Sequence, residues 1–175
     1  MSSENRPLAA KAFMKPPVSS IGRMRGAQGV DARVAYVVAL WPVLDPPARW
    51  RYLLERRHDP VRRDPFFHPE RLIAGHEAFF GDEATMATAS AQRMVERGEV
   101  DCLPPLWIAH GDLDENVTLP MTERFVDAYR AAGGTAELAV FAGVGHAFAN
   151  LPGPASDACV AGMQAFIART LANAR

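Results

Sequence analysis

The stretch Pro104–Val117 reads "PPLWIAHGDLDENV". An unbroken apolar run, Leu106–Ala109, ends in a glycine and a cluster of acids. A short apolar run bounded by turn residues fits a strand covered on both faces, as in a parallel sheet. In such sheets the working groups sit in loops beyond the carboxyl ends of the strands. Asp112 and Asp114 fall in a loop of that kind.

Two further runs on either side have the same character. "VAYVVALWP", Val34–Pro42, is rich in valine and ends at a proline, and "AELAVF", 136–141, precedes the Gly-rich loop "AGVGHAF". Between the second and third runs, "LPMTERFVDAYRAAGG", 119–134, reads as an amphipathic helix with Phe125, Ala128, Tyr129 and Ala132 on one face and a Gly-Gly stop. "ASDACVAGMQAFIARTLANA" closes the chain as a helix with Val160, Met163, Phe166, Ile167 and Leu171 on its apolar stripe. Buried strands alternating with helices predict an α/β layer on a mostly parallel sheet flanked by helices. Residues 43–83 are expected to be a cap-like, irregular insertion apart from a helix over 46–57, and Phe66, Phe67, Phe79 and Phe80 there read as local core or as the wall of a pocket. The segment 83–99 reads as one helix ending at Gly98. Residues 1–28 carry little pattern and are expected to be a poorly ordered arm, with the folded part over 29–175.

Composition narrows the partners. The 175 residues carry a net charge of −1, with 19 basic and 20 acidic residues interleaved, so nucleic acid is not expected. No apolar run approaches the ~18–20 residues of a membrane span, so no membrane partner is expected. The N-terminus lacks the apolar core of a secretory signal, and Cys102 and Cys159 read as free thiols of a reducing, cytoplasmic protein.

His146 lies in the loop after the third run, as Asp114 lies in the loop after the second. Adjacent strands run ~5 Å apart, so the two loops can meet. A carboxylate that accepts a hydrogen bond from one imidazole nitrogen leaves the other free to take a proton from a nucleophile. Asp112 is the second choice for the acid, and His110 could instead bond backbone near the turn. A metal site built from His110, Asp112, Asp114 and His146 lacks any helical ligand pair and any cysteine, so no metal is expected.

"HGDLDENV" followed by "FAGVGHAF" resembles the C-terminal part of an α/β-hydrolase, and more narrowly its esterase/lipase and prolyl-oligopeptidase-like branches. In that family HGxxDxxV carries the triad acid and GxGHxF the triad histidine. The resemblance implies Asp114 as acid, His146 as general base, no organic cofactor, and a small-molecule carboxylic ester as substrate. It extends over roughly residues 28–172, through "GVDARVAYVVALWPVLDPPARWRYL" and "FFGDEATMATASAQRMVERGE".

One part of the family pattern is missing. No GxSxG occurs in the 175 residues. The closest string, "GRMRG" at Gly22–Gly26, puts Met24 where the serine belongs, and a thioether has no proton to lose. Ser19 and Ser20 stand in a Pro-rich stretch without a preceding strand. The oxyanion loop is absent as well. The expectation is therefore a partial α/β-hydrolase fold, N-terminally truncated, inactive alone, with an apolar sheet edge open at the first strand. A homodimer through that edge, the arm folded over it, or a separate N-terminal half would cover it. A non-catalytic half-domain is the alternative to an enzyme.

Overall fold

The computed structural model describes residues 34–59, 63, 64 and 67–173. The arm over 1–28, with Ser19, Ser20 and Met24, lies outside the described residues, as does Phe66. Three strands form one parallel sheet in the order β1 (Val37–Leu40), β2 (Leu106–Gly111), β3 (Ala136–Phe141). Val37 pairs with Leu106, and Leu106 in turn with Ala136, so the three carboxyl ends finish at the same side of the sheet.

The central strand explains the layering. Successive side chains of a strand point to opposite faces. Leu106 and Ile108 of β2 therefore pack with Phe125, Val126 and Tyr129 of α5 (Leu119–Ala131) and with Val95 of α4 (Ala91–Glu96). Trp107 and Ala109 point the other way, onto Cys159 and Phe166 of α6 (Pro154–Asn173). All six residues of β2 are buried, as a strand covered on both sides requires. β1 is shorter than the apolar run containing it. Val34 is exposed, and Trp41 leaves the extended region with φ 39°. β1 is also only partly covered, since among the described residues it pairs with β2 alone.

The insertion is more ordered than its prolines imply. α1 (Pro46–Arg56) begins on a proline pair, and α2 (Pro69–Phe80) begins on Pro69 and ends at Gly81, whose φ is 78°. The expectation of an irregular segment here fails, because a proline in the first turn costs no helical hydrogen bond and presets φ. Leu53, Phe67 and Ile73 form a small core between the two helices. Phe79 is exposed.

The single helix expected over 83–99 is two, α3 (Glu83–Thr88) and α4. Ser90, fully buried, makes the break: its Oγ accepts the Arg93 N–H and donates to Asp45 Oδ1. Two apolar faces keep Phe125, Ala128 and Tyr129, and Met163, Phe166 and Ile167, as expected, and differ only at their edges. On α5 Thr122 and Val126 are buried and Ala132 is exposed. On α6 Cys159 replaces Val160 on the inner stripe, and Leu171 is exposed. Gly162 lets α6 approach Trp107 closely, since a Cβ there would stand 3.1 Å from the indole. No helix among the described residues is long and apolar enough to cross a membrane.

Candidate functional site

The loops after β2 and β3 are joined by their backbones. Asp112 N–H donates to Phe141 O, Leu113 N–H donates to Val144 O at 3.0 Å, and Asp112 Oδ1 accepts the Gly143 N–H at 2.7 Å. Asp112, the second choice of acid, is thus spent on closing the two loops together. Gly111 makes the approach feasible. A Cβ there would stand 2.3 Å from Val144 O and 2.8 Å from Gly145 O. Val144 O cannot step aside without breaking its bond from the Leu113 N–H. Gly111→Ala is expected to cost about 3 kcal/mol, the upper end for overpacking, read as a lowered urea midpoint at unchanged slope.

This junction brings Asp114 and His146 together. His146 Nδ1–H donates to Asp114 Oδ2 at 2.8 Å. Asp114 Oδ1 accepts the N–H groups of Asn116 and Val117 at 2.8 and 2.9 Å, so both carboxylate oxygens are engaged and the side chain is buried. His146 stays 22 % exposed. Its ring meets the edge of Trp41, with centroids 6.1 Å apart, and Ala147 after it takes the left-handed φ of 60°. A carboxylate cannot donate, so the hydrogen of this bond belongs to Nδ1 and the lone pair to Nε2. Such an imidazole can accept a proton at Nε2 and be stabilised as a cation by the buried carboxylate.

His110 serves the fold. Fully buried, it donates from Nε2 to Val117 O at 2.9 Å and accepts at Nδ1 from Thr122 Oγ1. Burial holds its pKa below the usual histidine range. With both nitrogens committed to α5 and the acid loop, it joins no ligand cluster, and the described residues contain no group of three metal-ligating side chains.

The acid loop is also gripped from α1 and α2, by residues that sequence reasoning passed over. Arg49, 7 % exposed, donates from Nε to Asn116 O at 2.9 Å, from Nη2 to Asn116 Oδ1, and from Nη1 to His76 Nε2. Burial lowers the Arg49 pKa to about 10, against the attraction of Asp114 and Tyr52. His76 is pushed down to about 4 by burial and then by Arg49, so its ring is neutral and carries its hydrogen on Nδ1. Glu115 ties the insertion on. Its Oε2 accepts from the N–H groups of Arg63 and Asp64, its Oε1 accepts from Arg56, and its carbonyl accepts from Tyr52. Burial opposes ionisation of Glu115, but those donors outweigh it and hold the carboxyl below its ordinary range. The one available signal for Arg49 was spacing, because Pro46, Arg49 and Leu53 share a helical face, and that face is the buried one.

Residues 74–174 match the prolyl oligopeptidase family. None of the curated proteins matches the chain. Solved structures do. The esterase Est2 of Thermogutta terrifontis in its propionate-bound form aligns with 85 % of this chain and 47 % of its own, at 22 % identity and a TM-score of 0.54. The same esterase phosphonylated by sarin gives a TM-score of 0.56 at 19 % identity, over 84 % of this chain and 48 % of its own. Carboxyl esterase 2 of the mycorrhizal fungus Tuber melanosporum gives 0.55 at 18 % identity, over 71 % and 40 %. The chain thus spans about half the length of the Thermogutta esterase structures it matches. Its three parallel strands and flanking helices are a partial α/β-hydrolase fold. Because the family match takes in more than half of the chain, α5 and the loops bearing Asp114 and His146 included, this chain belongs to the prolyl oligopeptidase family.

Proposed function

We propose that the chain supplies the acid and the general base of a carboxylic-ester hydrolase working through a Ser-His-Asp triad. The observation that carries this reading is the 2.8 Å bond from His146 Nδ1 to the buried Asp114 carboxylate. Asp114 fixes the tautomer. His146 Nε2 takes the proton of a serine hydroxyl as that oxygen attacks the ester carbonyl, then hands it to the departing alkoxide. No metal or organic cofactor enters these steps. No GxSxG occurs in these 175 residues, and on this reading the serine comes from another part of the enzyme. Propionate and butyrate bound to the Thermogutta esterase favour a short acyl group.

The test is hydrolysis of p-nitrophenyl acetate and butyrate, beside a His146→Ala control. The chain alone is expected to give no turnover above the control. Adding a separately made N-terminal half of a family esterase, with its GxSxG, is expected to raise turnover that His146→Ala abolishes. Restored turnover indifferent to His146→Ala would refute the assignment. Turnover by the chain alone that His146→Ala removes would direct mutagenesis to Ser19, Ser20 and Cys102.

A second reading, a non-catalytic half-domain that pairs with a copy of itself, is favoured by the edge of β1, which no described strand covers. Light scattering on the same sample separates the two: a stable dimer without complementation supports it.

A further inference from the structure

We propose that the groove between α1 and α2 binds a small apolar carboxylate, with its carboxyl group on the Arg49 guanidinium and its body against Val43, Leu72 and Phe80. The groove has a volume of about 340 Å³, within the usual range for small-molecule sites. Its walls are apolar except at Arg49, His76 and Arg71.

Arg49 is the reason for the anion. A guanidinium carries five N–H groups. Three of its bonds are accounted for, two to Asn116 and one to His76, which leaves two N–H groups uncommitted. Among the described residues no carboxylate lies in ion-pair range of Arg49, and the attraction of Asp114 reaches it only from a distance. A buried cation in that state is costly, and an anion bound to it recovers the loss. Nδ1 of His76, a buried residue beside Arg49, also finds no partner among the described residues. Arg71, exposed at the rim, adds positive charge on the approach path.

The rest of the groove selects the class of anion. A planar guanidinium fork matches a carboxylate bidentately. Apolar walls favour a ligand with a hydrocarbon body and a single charge over inorganic phosphate or a sugar phosphate, whose remaining oxygens would face Leu72 and Phe80 without partners.

The inference is independent of the hydrolase reading, because binding is measured without turnover. The probe is phenylacetate, titrated into the folded chain and followed by amide chemical shifts, with phenylacetamide as the uncharged counterpart. Gly75→Leu is the blocking variant. Gly75 lies on the groove, a Cβ there meets nothing within 4 Å, and leucine is the better helix former, so the fold and the Arg49 bonds are kept. Phenylacetate is expected to saturate, shifting the Gly75 and His76 signals. Both the amide and the Gly75→Leu chain are expected to bind at least about tenfold more weakly, a difference of ~1.4 kcal/mol. Equal binding of acid and amide, undiminished binding to Gly75→Leu, or no saturable shift up to about 50 mM each overturns the proposal.

Discussion

Asp114→Ala is expected to lower the free energy of unfolding by about 3 kcal/mol, and Asp114→Asn by roughly half of that. The alanine leaves the N–H groups of Asn116 and Val117 without an acceptor, both on buried residues, and removes a negative charge that attracts Arg49. His146, partly exposed, can turn to water and adds less. The asparagine keeps Oδ1 and its two amide bonds but sets an NH2 group against His146 Nδ1. The imidazole must then become an acceptor there, moving its hydrogen to Nε2. Nitrogen chemical shifts of His146 read that exchange of tautomers directly. In an enzyme completed with its serine, the same change is expected to cost about 10⁴ in kcat, since a protonated Nε2 cannot act as base. Equal stability of the two variants would mean that the Asn116 and Val117 bonds carry nothing. An unchanged tautomer in Asp114→Asn would remove the basis of the proposed role.

Acid is expected to weaken the fold well before the carboxylates titrate. His76 has a folded pKa of about 4, and an unfolded histidine has one of about 6.5. The unfolded chain binds the proton first, so the contribution is complete above about pH 6.5 and is lost as pH falls toward 4. Between pH 7.5 and 5 the loss through His76 is about 2 kcal/mol. Burial causes most of it and the Arg49 charge the rest. His110, whose pKa is also lowered chiefly by burial, acts in the same direction. His76→Gln keeps an acceptor for Arg49 and cannot titrate. Urea unfolding at a series of pH values is expected to give a flatter profile for that variant, the remaining slope belonging to His110. Parallel profiles would place the acid sensitivity elsewhere.

The parts legible in the sequence were those whose signal is local. β2, β3 and α5 stand out because apolar runs alternate with a 3.6-residue period, and the parallel order follows from that alternation. The juxtaposition of Asp114 and His146 was legible for the same reason, because the loops of neighbouring parallel strands end together. What escaped depends on contacts distant in sequence. α2 was hidden by prolines that read as breakers until they sit in a first turn. At the interruption, Ser90 caps the Arg93 N–H and is held by Asp45, forty-five positions away. On α6, Gly162 meets Trp107 and Cys159 rather than Val160 turns inward, contacts that no periodicity within the helix reveals. Arg49 was passed over because nothing beyond its place on the inner face of α1 marks it, and its burial comes from contacts with Asn116 and His76, distant in sequence.

The junction of the two loops carries a consequence for how this chain can change over generations. Leu113 and Val144 meet through main-chain atoms, and Asp112 takes a main-chain N–H. Those bonds do not depend on which side chains occupy positions 113 and 144. Drift at such positions leaves the spacing of Asp114 and His146 intact, whereas Gly111, where no side chain fits, and Gly143, whose φ is 74°, have little latitude. The pair can therefore be inherited through long divergence on a few fixed letters, while the surface of the loops around it is free to be rewritten.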